Sequence, residues 1–357
     1  MSDDPAVSSP FPPLTRSDVL SFQFSAWYSI FSSISIKSTI VRPSSTEFRS
    51  YLDAESVFLP EGSEVVFTRG STVETVDEEA GEENDHPHFA FPGLDAQIRA
   101  AVKEYDAVFP KLNFSSPKDA AWILPSFSPL KCTSPADVYL LLKSSDFVTH
   151  DLRESNIFEN CIDAPNQEDG DSAEYQLELV LRKWYSMEGS RELRCFVRDN
   201  NLIALSQRDN NHYEFLNETA TQTKIISSVR SYWKFQVKPK WTSTSSYTFD
   251  ILLTRDLERF HVLDFNPYAP RTDALLFTYE ELQGLLPSSE SPAETLPILR
   301  VIDSAAHPAA ARNAPMHQHN MVPLEALTLS SGRGMEEFAA VWQEQLRHSM
   351  QEDGDSD

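Results

Sequence analysis

Glycine is scarce: ten in 357 residues, and none is followed by lysine. No G-x-x-x-x-G-K-[ST] run exists, and Gly332-Arg333-Gly334 fails the G-x-G-x-x-G pattern at its sixth place. P-loop, Rossmann and protein-kinase glycine loops are therefore unsupported. G-x-S-x-G is absent as well, so a hydrolase nucleophile elbow is unsupported. Cysteine is equally sparse. Cys132, Cys161 and Cys195 stand far apart with no C-x-x-C spacing, which excludes a disulfide framework and a structural zinc site built from them. Reduced thiols in a cytosolic protein fit this usage.

Basic charge is in deficit: 30 Lys and Arg against 54 Asp and Glu, a net of −24. That argues against direct nucleic-acid binding, which needs a basic stripe, and against a polybasic membrane anchor. No apolar run approaches the ~18 residues of a membrane span. The opening Met-Ser-Asp-Asp-Pro is acidic rather than basic and apolar, so it does not read as a signal peptide. A soluble, cytoplasmic, monomeric protein is expected. At about 150 residues per domain the length predicts two domains.

The acid is concentrated. Eight acids and no base fall between Ser71 and Ile98, eight more between Glu154 and Glu178, and four in the last nine residues. Without these twenty the remainder is near neutral, at −4. Segments 71–98 and 154–174 read as solvated acidic loops, or as tuners of contact with a basic partner. Residues 1–19 read as a disordered N-terminus. Residues 287–357 read as a largely disordered tail, with a helix over 335–348 where Phe338, Val341, Trp342 and Leu346 recur at helical spacing. His317-Gln318-His319 is too weak a chelator on such a tail to count as a metal site.

What remains is organised. Phe22, Phe24, Trp27, Tyr28 and Phe31 form an aromatic cluster, either core or a partner surface, before a short strand at Ile34–Ile40. Ala107–Phe109 reads as a strand leading into Lys111, a Ser115-Ser116-Pro117 turn and a helix start at Lys118. This suits an oligophosphate, or an ordinary surface lysine and cap. Val138–Lys143 is apolar and of undecided type. Tyr175–Leu181 alternates as a strand and ends in Arg182-Lys183-Trp184. Leu193–Val197 and Leu202–Gln207 read as a hairpin turning at Asp199-Asn200-Asn201, with Arg194 on its polar face and Arg208 at its close. Tyr247–Thr254 and Phe260–Asn266 are two more strands. Their five-residue loop sets Asp250 opposite Asp264, with Cβ atoms about 4.5–5.5 Å apart, and puts Asn266 on the face of Asp264. Opposed carboxylates repel unless a cation lies between them. Two carboxylates and an amide oxygen suit Mg²⁺ on nucleotide phosphates. A register off by one would instead put the acids on opposite faces.

Several runs resemble hallmarks of the cell division cycle protein 123 family. They are Phe109-Pro110-Lys111-Leu112-Asn113-Phe114-Ser115-Ser116-Pro117-Lys118-Asp119-Ala120, Leu181-Arg182-Lys183-Trp184, Leu205-Ser206-Gln207-Arg208-Asp209 and Leu263-Asp264-Phe265-Asn266-Pro267. Phe24-Ser25-Ala26-Trp27-Tyr28, Leu140–Phe147 and Thr272–Phe277 extend the likeness over residues 20–286. The resemblance implies an α+β, ATP-grasp-like fold. Two lobes with antiparallel sheets, 20–180 and 181–286, would clamp ATP with Mg²⁺. It implies an assembly chaperone that binds the gamma subunit of eukaryotic translation initiation factor 2 and promotes heterotrimer assembly, supporting translation initiation and cell-cycle progression. Carried over, Lys111 would contact phosphates, with Asn113 and Ser116 in the adjoining loop. Arg182, Lys183 and Trp184 would meet the adenine, and Arg194 and Arg208 would face the phosphates. Asp250, Asp264 and Asn266 would hold the metal. Phe114 stands where the family usually has Trp, and Leu193 where it usually has Phe. The alternative is an ATP-grasp ligase or kinase, which needs an acceptor pocket beside the γ-phosphate. No motif for one is present, so the reading leans away from an enzyme.

Overall fold

The computed structural model describes residues 9–43, 45–54, 58–63, 89–124, 128–163, 175–286 and 296–312. In chain order the elements are α1 (Arg16–Ser21), α2 (Phe24–Phe31), β1 (Ser38–Val41), α3 (Ser45–Asp53), α4 (Pro92–Tyr105), β2 (Val108–Lys111), α5 (Pro135–Lys143), α6 (Glu154–Ile157) and β3 (Leu179–Lys183). There follow β4 (Glu192–Arg198), β5 (Asn201–Gln207), α7 (Thr219–Tyr232), β6 (Tyr247–Leu253), β7 (Phe260–Pro267), α8 (Tyr279–Gly284), β8 (Ile298–Arg300) and α9 (Pro308–Arg312). The chain divides into a large unit, residues 1–209 and 213–303, and a small one, residues 210–212 and 304–357. Both sheets lie in the large unit, while α9 is the described helix of the small one. No helix among the described residues is long and apolar enough to cross a membrane.

The first sheet has the order β1-β3-β2, antiparallel throughout. The second has the order β7-β6-β4-β5-β8, antiparallel except where β8 runs parallel to β5. The expected boundary at residues 180 and 181 falls inside β3, so Arg182 and Lys183 belong to the first sheet. The turn between β4 and β5 is Asp199-Asn200, both at positive φ (47° and 59°), the twist that a two-residue hairpin needs. In β6–β7 the predicted register holds: Tyr247 faces Pro267, Thr248 faces Asn266, and Asp250 faces Asp264. Beyond Asp250 the pairing slips, Ile251 facing Val262, so Leu263 is a bulged extra residue.

The undecided run at 138–143 is helical. Ser134 accepts from Asp137 N and Asp137 returns the bond to the Ser134 backbone, with Pro135 in the first turn. That cap settles α5, whose Val138, Tyr139, Leu141 and Leu142 are buried. Tyr175–Glu178 is not strand; β3 begins at Leu179. Trp27 and Phe31 are core, each 0% exposed. Phe31 stacks on Phe265 at 5.0 Å and Trp27 lies 5.6 Å from the same ring, which seats α2 on β7 and removes both residues from any partner surface.

The acidic loops are shorter than expected. Residues 92–98 belong to α4, where buried Asp95 accepts the Tyr139 hydroxyl at 2.6 Å. Residues 154–157 form α6, where Glu154 pairs with Arg16 at 3.3 Å. Residues 296–312 of the expected tail carry structure: β8 adds to the second sheet, Ile302 is buried, Arg300 forks onto Glu281 with two 2.8 Å bonds, and α9 follows. The helix expected at 335–348 and His317-Gln318-His319 lie outside the described residues.

Candidate functional site

One cavity of about 490 Å³ collects Ser116, Arg182, Lys183, Trp184, Arg194, Arg208, Asp250, Asp264 and Asn266, nine of the eleven side chains picked from sequence. Ser116 comes from the loop after β2, and Arg182, Lys183 and Trp184 from β3 and its end. Arg194 is on β4, Arg208 follows β5, and the two acids with Asn266 are on β6 and β7. Lys111 reaches the same place through Asp264, its Nζ lying 3.0 and 3.2 Å from the two carboxylate oxygens.

Asn113 is the exception. Its side chain is fully buried. It donates to Gln176 O at 2.8 Å and accepts from Glu178 N at 2.8 Å and Tyr175 OH at 3.2 Å. It clamps the extended lead-in to β3, with no polar capacity turned to the cavity. Asp151, also buried, performs the matching task one turn away. It accepts from Phe114 N, Ser115 N and Ser115 Oγ at 2.7–3.0 Å, which fixes the loop carrying Ser116.

Each of the facing aspartates is met by side-chain cations, Asp264 by Lys111 and Asp250 by two arginines. Arg194 grips Asp250 with both prongs, Nε to Oδ1 at 2.8 Å and Nη2 to Oδ2 at 2.9 Å. Arg208 Nε lies 3.1 Å from Oδ2 of the same carboxylate. Burial works against a charged Asp250, but Arg194 and Arg208 outweigh it and hold the carboxyl well below its ordinary range. Arg194 moves in the opposite sense: burial opposes its charge, yet Asp250 raises its pKa. Asp264 is more open, 22% exposed against 3% for Asp250. Among the described residues no group of three or more His, Cys, Asp or Glu is placed to hold a metal. A cation here would need amide and phosphate oxygens beside the acids.

Arg182 is buried with its charge incompletely met. Nη1 donates to Leu263 O at 2.8 Å, while Nε and Nη2 have no hydrogen-bond partner among the described residues. The β7 bulge places that carbonyl on its neighbour across the sheets. Buried N–H groups left open beside a cavity are costly, at ~1–3 kcal/mol each, unless a ligand meets them.

Lys118 was passed over as a helix start, yet it lines the cavity. Its ammonium makes no hydrogen bond or ion pair among the described residues, while its backbone N–H donates to Ser116 O at 2.8 Å. Crowding by the cleft walls and the charge of Arg208 push its pKa down to about 8, against the pull of Glu192, Asp250 and Asp264. The available signal was a second lysine seven residues after Lys111, across the same Ser-Ser-Pro turn. Away from these charges the cavity is apolar, with Ile36, Pro129, Leu130, Met187 and Leu263 around Trp184, whose Nε1 donates to Pro129 O at 3.2 Å.

A model of the D123 family matches residues 27–330. The chain belongs to the D123 family. It is 37% identical over 333 residues to the translation initiation factor eIF2 assembly protein of Schizosaccharomyces pombe, covering 93% of this chain and 97% of that one. It is 34% identical to cell division cycle protein 123 of Yarrowia lipolytica, over 96% and 86% of the two chains. The solved structure of Cdc123 from Schizosaccharomyces pombe superposes with a TM-score of 0.65 at 33% identity, covering 82% of this chain and all of that one. The fold of this D123 chain is therefore ATP-grasp-like, with mixed helix and antiparallel sheet.

Proposed function

We propose that this D123 protein binds ATP with Mg²⁺ in the cleft and acts as an assembly factor for eukaryotic translation initiation factor 2, engaging its gamma subunit. Local charge carries the nucleotide part. Six cations (Lys111, Lys118, Arg182, Lys183, Arg194, Arg208) meet three carboxylates (Glu192, Asp250, Asp264) around one cavity, an excess of three in a chain of net −24. Such a focus selects a compact polyanion. The open N–H groups of Arg182 and the unpaired Lys118 supply donors, and the apolar half around Trp184 accommodates a base. Mg²⁺ would be held by Asp264, Asn266 and Asp250, and would supply charge neutralisation on the phosphates. Asp264 is the readier ligand, because both Asp250 oxygens already serve arginines. The assembly role rests on what the relatives are named, over nearly their whole length. A cytoplasmic site of action is part of the proposal; the three cysteines are free and buried.

Calorimetric titration of the full chain with ATP, with and without Mg²⁺, tests the site, and capture of the purified gamma subunit tests the role. Binding that is indifferent to Mg²⁺ and to Asp264→Asn would overturn the metal assignment. Failure to capture the gamma subunit would overturn the partner.

A second reading, ligase or kinase, gains one observation. A cavity of about 590 Å³ adjoins the polar end, sharing Ser116, Phe147, Arg194, Arg208 and Asn266 and adding His150, Arg271 and Thr272. An acceptor beside the terminal phosphate would fit there. Transfer of γ-phosphate label from ATP to a protein or small-molecule acceptor would favour this reading; its absence would leave the assembly role.

A further inference from the structure

Between Glu218 and Asp250 the chain has no acidic residue and five basic ones, Lys224, Arg230, Lys234, Lys238 and Lys240. No part of this stretch enters the nucleotide cleft. It forms α7 and then a widened π turn, Trp233–Val237, closed by Lys238 N donating to Trp233 O at 2.8 Å. The wide turn points Trp233 and Val237 inward together: both are buried, and Trp233 Nε1 donates to Tyr247 OH at 3.0 Å. Phe235, between them, is thrown outward and is 66% exposed, the most exposed large aromatic among the described residues. Lys234, Lys238 and Lys240 lie within five residues of it in sequence, all exposed. Lys238 is held in place by Asn200 O at 2.9 Å and by the Trp233 ring. Neither Lys238 nor Lys240 meets a carboxylate. A π turn costs hydrogen-bond regularity and tends to persist where it positions something. Here it leaves an apolar side chain exposed within a lysine-rich, acid-free run of chain.

We propose that this face, Phe235 with Lys234, Lys238 and Lys240, docks an acidic peptide segment of a partner protein that also carries an apolar side chain. The lysines answer the carboxylates and Phe235 answers the apolar residue. A nucleic acid is disfavoured by charge. Its phosphates would extend beyond so small a patch and meet the field of a chain at −24. The face shares no residue with the nucleotide cleft, so the two sites are separately breakable.

The test is fluorescence anisotropy on the full chain with a labelled peptide of about twelve residues, rich in Asp and Glu around one Leu. Its Asn/Gln twin and a single-stranded oligouridine of similar length serve as controls. The acidic peptide should bind, the twin and the oligouridine should not, and 0.5 M salt should weaken binding about tenfold. Phe235→Ser and Lys240→Glu should each weaken it about fivefold while leaving ATP titration unchanged. Both positions are exposed, so the melting temperature should hold. If Phe235→Ser does unfold the chain, Lys240→Glu alone carries the test. Equal binding of peptide and twin, no binding, tighter binding of oligouridine, or an indifferent Lys240→Glu would each overturn the proposal.

Discussion

The two ends of the cleft are built on opposite plans. At the polar end the charges are buried and tied to one another: Asp250, Arg194, Arg182 and Lys111 are each no more than 7% exposed. At the apolar end Tyr185 and Met187 are 48% and 38% exposed, and Trp184 is half-buried. The polar end is therefore preorganised, its cations aimed by the carboxylates whatever the ligand. The apolar end gains much of its burial only when a ligand covers it. Substitutions at the first should disturb folding and binding together, whereas those at the second should disturb binding alone.

Asp250→Ala should break that contrast most severely. It strands buried Arg194, while the more open Arg208 keeps Glu192 at 3.4 Å, and losing one partner of a buried pair costs about 3–5 kcal/mol. Chemical unfolding without nucleotide measures this. Because the Asp250 carboxyl lies below its ordinary 3.8 in the folded chain, its stabilisation is present above that pH and is lost as pH falls further. The difference between Asp250→Ala and wild type should therefore shrink in acid.

Asp264→Asn keeps shape and an acceptor for Lys111. It leaves that buried ammonium without its counter-ion, so it should cost stability, though less than Asp250→Ala, and lower Mg²⁺-dependent ATP affinity by about tenfold or more, read by chemical unfolding and calorimetry. Lys118 sharpens the comparison through pH. With its pKa near 8 in the free protein, it loses its proton as pH rises from about 7 to 9.5, and ATP affinity should fall several-fold across that window. Lys118→Met should bind ATP more weakly at pH 7 and show a flatter profile; an identical slope would remove Lys118 from the phosphate set. The smallest effect is expected at the open end. Trp184→Ala should weaken ATP about three- to tenfold with unfolding unchanged within about 0.5 kcal/mol.

The second sheet was largely legible because its signals are local. Alternation marked β4, β5, β6 and β7, and the Asp199-Asn200 turn fixed one hairpin. In the other the loop closes on Leu253 opposite Phe260, so loop length alone would set Asp250 against Leu263; the bulge brings Asp264 there instead. The bulge at Leu263 was missed although it leaves a mark: the core-facing positions change phase across it, Phe260 and Val262 before it and Phe265 after it. β8 escaped because three residues carry no period; its order comes from pairing with β5 and from Arg300 on Glu281. Candidate site residues were legible where charge placed them. Asn113 misled because an amide beside a phosphate-like loop and an amide clamping its own backbone look alike in one dimension. The opposed acids correctly demanded positive charge, but the register could not say that arginine and lysine would provide it.

The bulge has a mechanical side. Arg182 on β3 holds Leu263 O on β7, and Lys111 on β2 holds Asp264 next to it, so each of the two fasteners between the sheets includes a charged side chain that lines the cleft, Arg182 in one and Asp264 in the other. An anion entering there competes for the very groups that bolt one sheet to the other. Occupancy and stiffness are thus coupled: what fills the cleft sets how tightly the halves of the clamp are joined.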